Sequence, residues 1–229
     1  MISKIILHIG VHKTATTTIQ NTLTNEREKL AALGILYPLF YANEFIFNNH
    51  SIPLFSLFSQ YPERYHINKT HGFTTKAAIQ QLHQGYSDQL RAQVSSFSGD
   101  TLVLSGEDLS NFKSQNLDKL KAFLREVTHP DIKIQVVVVC RHPVTRFRSS
   151  VQFSVSNFGM RMKKAKEFHT VRKNLYQTLI NNFAAVFGLE NISVLKYEDM
   201  LGHPFGPAGA FLEAINPSIP AKIKPQIIF

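Results

Sequence analysis

Lys13 occupies the most chemically suggestive position in this chain, in the segment KIILHIGVHKTATTTIQ that runs from Lys4 to Gln20. An apolar run leads through Gly10 into a short basic turn and then into a threonine-rich helix start. Gly10 permits a tight turn. Backbone N–H groups from Thr14, Ala15, Thr16 and Thr17 would project from the first helical turn, where the positive end of the helix dipole favours phosphate or sulfate. Lys13 then adds a full positive charge for a bridging anionic group, with His12 beside it. A plainer reading is a strand-to-helix connection in which Lys13 is solvated and the threonines cap the helix.

A second basic cluster follows a second apolar run. Val136 to Val139 is wholly β-branched, the pattern of a strand buried on both faces of a parallel sheet, and it empties into Cys140-Arg141-His142-Pro143. Pro143 suits a first helical position, and Arg146, Arg148, Ser149 and Ser150 follow it. Ligands in open α/β sheets bind at the carboxyl ends of strands, so Lys13 and Arg141 are expected on one edge. The nucleoside triphosphate loop G-x-x-x-x-G-K-[ST] is not matched, because Gly10 lies three residues before Lys13 and no second glycine precedes the lysine.

The elements that must position these residues alternate along the chain. The pattern predicts a strand over Ile5 to Ile9, a helix over about Thr16 to Leu33 stopped by Gly34, and an irregular stretch from Leu36 to Phe73 carrying Pro38, Pro53 and Pro62. Further on it predicts a helix over Thr75 to Ser96, a strand over Thr101 to Leu104, a helix over Asn116 to Val127, the Val136 strand, the Pro143 helix, a helix ending near Phe187, and a last strand over Ile192 to Leu195. Helices between apolar strands imply right-handed crossovers, hence an α/β fold with a central parallel sheet covered on both sides. One domain over residues 1–229 is expected, with 36–73 as a long insertion.

With 229 residues and 44% apolar content, the chain can bury a substantial core. A net charge of +9 and a pI near 9.7 suit anionic ligands without choosing among nucleotides, acidic glycans and nucleic acid. Cys140 is the only cysteine, which leaves no intrachain disulfide and no zinc cluster, and it reads as a buried strand-end residue. The histidines show no spacing that puts two metal ligands on one helical face, so no metal is expected. Lys4, His8, His12 and Lys13 interrupt the N-terminal apolar run, and no stretch is long enough to span a membrane, which points to a cytoplasmic protein.

The Lys13 segment resembles the 5′-phosphosulfate-binding loop of sulfotransferases that use 3′-phosphoadenosine 5′-phosphosulfate (PAPS), above all the bacterial form H-I-G-x-x-K-T-[AG]-T-T-[ST]-I-Q. His8, Gly10, Lys13, Thr14, Thr16, Thr17, Ile19 and Gln20 carry the match. The Arg141 segment resembles the family's 3′-phosphate motif R-x-P-x-x-R-x-x-S, with Arg141, Pro143, Arg146 and Ser149 in place. FGLENISVLKYEDM, Phe187 to Met200, is similar to the F-G-x-E-N-I-x-V-x-x-Y-E segment that closes the sheet. The resemblance implies a P-loop-NTPase-like sandwich and sulfuryl transfer from PAPS to a hydroxyl. It further implies that Lys13 steadies the leaving phosphate while Arg141 and Ser149 hold the 3′-phosphate. Many relatives continue with a basic cover over the nucleotide, whereas this chain ends at Lys224-Pro225-Gln226-Ile227-Ile228-Phe229. The cover is then missing, the chain is a fragment, or Arg161 to Lys173 takes its place.

A base for the acceptor hydroxyl is expected from Glu107 or His50. Glu107 follows the second strand, where cytosolic sulfotransferases carry a catalytic histidine and bacterial relatives show S-x-E, although Glu107-Asp108 would also cap a helix. His50 follows a G-I-L-Y-P segment, and imidazole suits proton transfer near neutral pH. Glu44 is a further carboxylate of the long loop, and His12 beside Lys13 and His142 beside Arg141 are further phosphate contacts. The acceptor is expected to be a carbohydrate or a lipid-linked glycan, acidic in one version, with no nucleic-acid partner and at most peripheral membrane contact. The competing readings are an atypical nucleotide kinase and a non-catalytic nucleotide- or nucleic-acid-binding module.

Overall fold

In a computed structural model of the chain, residues 1–168, 174–219 and 223 are described. The chain-order elements are β1 (Lys4–Gly10), α1 (Thr16–Asn25), α2 (Arg27–Ala32), β2 (Ile35–Leu36), β3 (Phe40–Ala42), β4 (Phe45–Phe47), α3 (Ser51–Phe58), α4 (His66–Thr70), α5 (Lys76–Ser96) and β5 (Thr101–Ser105). They continue with α6 (Ser114–Val127), β6 (Lys133–Cys140), α7 (Pro143–Phe158), α8 (Met162–Phe168), α9 (Leu175–Phe187), β7 (Ile192–Lys196), α10 (Tyr197–Met200) and α11 (Gly206–Ile215). Five strands form one sheet in the order β2-β5-β1-β6-β7, and every pairing in it is parallel. The expected α/β class is therefore the observed one.

The central strands are apolar on both faces, and their side chains separate into two cores. Ile5, Leu7, Ile9, Leu102, Leu104, Val136 and Val138 join α5, α6 and α9 through Leu90, Leu120 and Phe183. Ile6, Val103, Val137 and Val139 face the opposite way, onto α1, α2 and α11 through Leu23, Leu30 and Phe211. The period-two alternation of a strand thus feeds two helical layers at once. Register then fixes the working edge. His8 pairs with Ser105 and Gly10 with Val139, so β1, β5 and β6 release their following loops side by side. β1 has β5 on one flank and β6 on the other, which makes its carboxyl end the switch point of the sheet.

Three expectations are corrected. The helix expected over Thr16 to Leu33 bends at Glu26, where φ is −97° and ψ 12°, into α1 and α2. Thr24 Oγ1 donates back to Gln20 O at 2.8 Å, a bond type that bends helices. The stretch expected to be irregular holds a β3–β4 hairpin and two helices. Pro53 misleads as a breaker because it falls in the first turn of α3, where its missing N–H would have had no helical acceptor. Asn43, at φ 51°, turns the hairpin, a conformation asparagine tolerates well. Cys140 is half-buried, and desolvation raises its thiol to about 11. Among the described residues no helix is long and apolar enough to cross a membrane.

Candidate active site

The loop after β1 is wound more tightly than a simple helix entry. Lys13 and Ala15 both take positive φ, 75° and 62°, on either side of Thr14, and turns with positive-φ residues build the backbone concavities that bind anions. Each such residue without glycine costs roughly 1–3 kcal/mol, a cost tolerated where the surroundings fix the geometry. The surroundings do so here. Thr14 is fully buried and its Oγ1 donates to Val11 O at 2.6 Å, and a Cβ on Gly10 would stand 2.4 Å from Thr14 Oγ1 and 2.6 Å from Thr16 Cγ2. The Thr14 hydroxyl is therefore part of the loop's frame and is not turned to a ligand. Ala15 is the N-cap of α1 and offers no side-chain acceptor, so the plainer expectation of threonine capping is not met. The first N–H groups of α1 have no helical acceptor, and Thr17 is exposed.

The loop after β6 meets the Lys13 loop directly. Arg141 Nη1 donates to Lys13 O at 2.9 Å, its Nε to Thr145 Oγ1 at 3.3 Å, and its guanidinium lies 4.4 Å from the Tyr197 ring centre. A guanidinium carries five N–H donors, so others stay available for an anion. Tyr176 fixes the turn from α9: its hydroxyl accepts from Arg141 N at 3.0 Å and donates to Arg141 O at 2.6 Å. Glu198 fixes it from α10, accepting from His142 N and from Thr145 Oγ1, both at 3.0 Å. His142 N-caps α7 through its backbone and has an exposed side chain.

Lys13 Nζ lies 3.2 Å from the Phe153 ring centre. Burial, with Arg141 nearby, lowers its pKa. Phe153 sits one helical turn past Ser149 on α7, so the two share a face of that helix. Lys13 thus meets Arg141 on one side and the Phe153 side of α7 on the other. Arg146, on the same helix, carries a buried Nε without a hydrogen-bond partner among the described residues.

The third wall comes from β5. Glu107 accepts from Gln20 Nε2 at 3.1 Å on Oε2 and from Asn49 Nδ2 at 3.2 Å on Oε1, so both of its oxygens are held by amides. Gln20 is buried and also reaches Ser105 O at 3.3 Å. A Cβ on Gly106 would stand 2.7 Å from Ser51 N, so glycine is required for the α3 N-terminus to close on this turn. His50 does not fit the role of base. It is 0% exposed, its Nδ1 accepts from Ser105 N at 3.0 Å, and its Nε2 must therefore carry the hydrogen given to Pro38 O at 2.7 Å. Desolvation lowers its pKa to about 4. His8, on β1, is also 0% exposed, with Nδ1 2.8 Å from Ser105 Oγ and its pKa lowered to about 3 by burial. Glu44 occupies the exposed β3–β4 turn.

His12 turns toward the β5 side of the site. Its Nε2 lies 3.3 Å from Asp108 Oδ1, and Asp108 Oδ2 accepts from Tyr65 OH at 2.7 Å. Asp108, Tyr65, Asn49, Tyr176 and Phe153 are site residues that sequence reasoning missed, since loops and a distant helix bring them in. Gln20 and Glu198 were within the matched motifs and carried a signal there. Part of the Arg161–Lys173 stretch, residues 169–173, and the 224–229 terminus lie outside the described residues. A cavity of about 270 Å³ lies on another face of α7, lined by Phe147, Val151, Val155 and Met162, and one of about 210 Å³ lies between the hairpin and α5.

No protein-family model matches the chain, and no curated protein matches it. Among solved structures, it is similar to a sulfotransferase from Alicyclobacillus acidocaldarius at 13% identity and TM-score 0.46, covering 98% of this chain and 82% of that one. It is similar to the sulfotransferase domain from the curacin biosynthetic pathway at 11% identity and TM-score 0.48, covering 94% and 72%. It is also similar to shikimate kinase from Bacteroides thetaiotaomicron at 12% identity and TM-score 0.40, covering 93% and 97%. Likenesses this remote leave the assignment of chemistry to the site.

Proposed function

We propose that this chain transfers a sulfuryl group from PAPS to a hydroxyl on a carbohydrate or lipid-linked glycan. The observation that carries the reading is the bond from Arg141 Nη1 to Lys13 O, 2.9 Å long, which joins the two motif segments into one cationic pocket although they are far apart in sequence. The donor would supply an activated sulfuryl group and two anionic ends. The groups present fit both ends. The uncapped N–H groups of α1 and the Lys13 ammonium suit the 5′ end, and the remaining guanidinium donors with the Ser149 hydroxyl suit a 3′-phosphate.

Lys13 has a defined task in such a site. Charge grows on the bridging oxygen as the sulfuryl group departs, and a nearby ammonium in partly desolvated surroundings stabilises it more than it would in water. The Phe153 ring and the Arg141 contact orient the lysine and its loop before a substrate arrives, so little reorganisation is left for the reactive step. Glu107, gripped by Gln20 and Asn49, is suited to orienting an acceptor at the pocket wall.

The test is incubation of the purified protein with sulfur-labelled PAPS and a panel of sugars, glycolipids and phenols. Mass analysis would look for an acceptor heavier by one sulfuryl group. Label transfer to a hydroxyl acceptor is the expected result. Transfer of a phosphoryl group when ATP replaces PAPS would instead support a kinase.

A further inference from the structure

We propose that His12 is the catalytic residue that takes the proton from the attacking hydroxyl, and that Asp108, braced by Tyr65, is its positioning residue. This rests on the sulfuryl-transfer reading and names its missing base. His50 has no free nitrogen, and each oxygen of Glu107 already holds an amide N–H. His12 differs on both counts. Its side chain is 61% exposed, it adjoins Lys13 in the cradle loop, and one nitrogen is engaged by a carboxylate.

The carboxylate is itself fixed. Asp108 Oδ1 faces His12 Nε2, Oδ2 accepts from Tyr65 OH at 2.7 Å, and the backbone N–H donates to Ser51 Oγ at 2.9 Å, while the side chain is only 16% exposed. An ionised Asp108 can only accept, so Nε2 of His12 carries the hydrogen and Nδ1 keeps its lone pair for a substrate. That is the arrangement by which a buried aspartate selects the tautomer of a histidine base. The hydrogen bond that His12 gives to Asp108 raises the His12 pKa, opposed by desolvation, with Asp108 and Glu107 charges adding to the rise and Lys13 opposing it. Desolvation would raise the Asp108 pKa, and its bonds to His12 and Tyr65 outweigh that and hold it below the usual carboxylate range.

In the step, the acceptor O–H bond breaks and its proton passes to His12 Nδ1 while the oxygen forms a bond to sulfur. The bond from sulfur to the bridging oxygen breaks, and its electron pair stays on the phosphate oxygen beside Lys13. Atoms and charge balance without a further reactant.

The experiment follows hydrolysis of PAPS, with water standing for the acceptor hydroxyl, in the wild type, His12→Gln and Asp108→Asn, alongside calorimetric binding of adenosine 3′,5′-bisphosphate. His12→Gln should lower turnover by about 100-fold or more while the binding constant changes less than about threefold. Asp108→Asn should move the acid limb of the pH–rate profile to lower pH, since the charge that raises His12 is gone. Nitrogen-15 NMR reads the dyad without turnover and should show the Nε2–H tautomer in the wild type. Intact binding with unchanged turnover in His12→Gln, or an Nδ1–H tautomer, would overturn this assignment alone. A wild type that binds no adenosine 3′,5′-bisphosphate would overturn the donor reading and this assignment with it.

Discussion

The β1–β6 side of the pocket and the β5 side satisfy their polar groups in opposite ways. Around Lys13 and Arg141 the loops leave N–H groups, an ammonium and guanidinium donors facing outward, and keep two non-glycine residues at positive φ to do so. Around Glu107 and His50 nearly every donor meets an acceptor within the protein: Gln20 and Asn49 on Glu107, Ser105 and Pro38 on His50. One side is arranged for a ligand's charge and the other for rigidity. Loss on the first side should appear as lost binding or rate, and loss on the second as lost stability. His12 and Asp108 stand where the two sides meet.

The largest effect should come from the charged side. Lys13→Ala is expected to lower the rate of sulfuryl transfer by about 10²–10³-fold, the scale for removing one transition-state donor, with the melting temperature changed little. A steady-state assay beside a thermal melt checks both halves. A large loss of stability with unchanged rate would reverse the comparison.

The two buried imidazoles, one under each side, predict acid sensitivity. His8 and His50 have folded-state values of about 3 and about 4, below the unfolded 6.5. The unfolded chain therefore binds more protons than the native one below pH 6.5, and stability is lost as pH falls through that window toward 4. Each group contributes at most about 1.4 kcal/mol per pH unit, so urea denaturation at pH 5 should give about 2–4 kcal/mol less than at pH 7. His12 acts with the opposite sign, its raised value giving stability that is lost as pH rises, and its exposure makes that share small. A pH-independent denaturation midpoint would contradict the burial of the two imidazoles.

Gly106→Ala sharpens the β5 side. Its methyl would press on Ser51 N, which is backbone and cannot swing away, so chemical denaturation should show a loss of about 1–3 kcal/mol. The smallest effect is expected for Ser149→Ala. One neutral hydroxyl donor is worth about 0.5–1.5 kcal/mol, a fall in nucleotide affinity of about three- to tenfold by calorimetry.

What could be read from the chain follows the same division. The β-branched run at Val136, the turn at Gly10 and the basic residues after each strand are local patterns, and the parallel sheet and its working edge came from them. Segment 36–73 was misread because proline and aromatic content suggest irregular chain, although Pro53 is harmless in a first turn and Phe55 stacks on Phe112 at 5.3 Å. The fate of His50 could not be read, since its isolation depends on Ser105 and Pro38, residues that only the folded chain brings to it. Asp108 was visible as a neighbour of Glu107, but its pairing with His12 requires the β1 and β5 loops to emerge side by side.

The central claim is that Arg141 and Lys13 form one pocket for a nucleotide with a 3′-phosphate. Calorimetric titration with adenosine 3′,5′-bisphosphate, AMP and ATP tests it most directly, in the wild type and in Arg141→Ala. Tightest binding of the bisphosphate is expected, with its advantage over AMP falling about 10- to 100-fold in the variant, the scale of a lost charged hydrogen bond. Equal affinity for all three nucleotides, or a bisphosphate preference that survives Arg141→Ala in a folded variant, would contradict it.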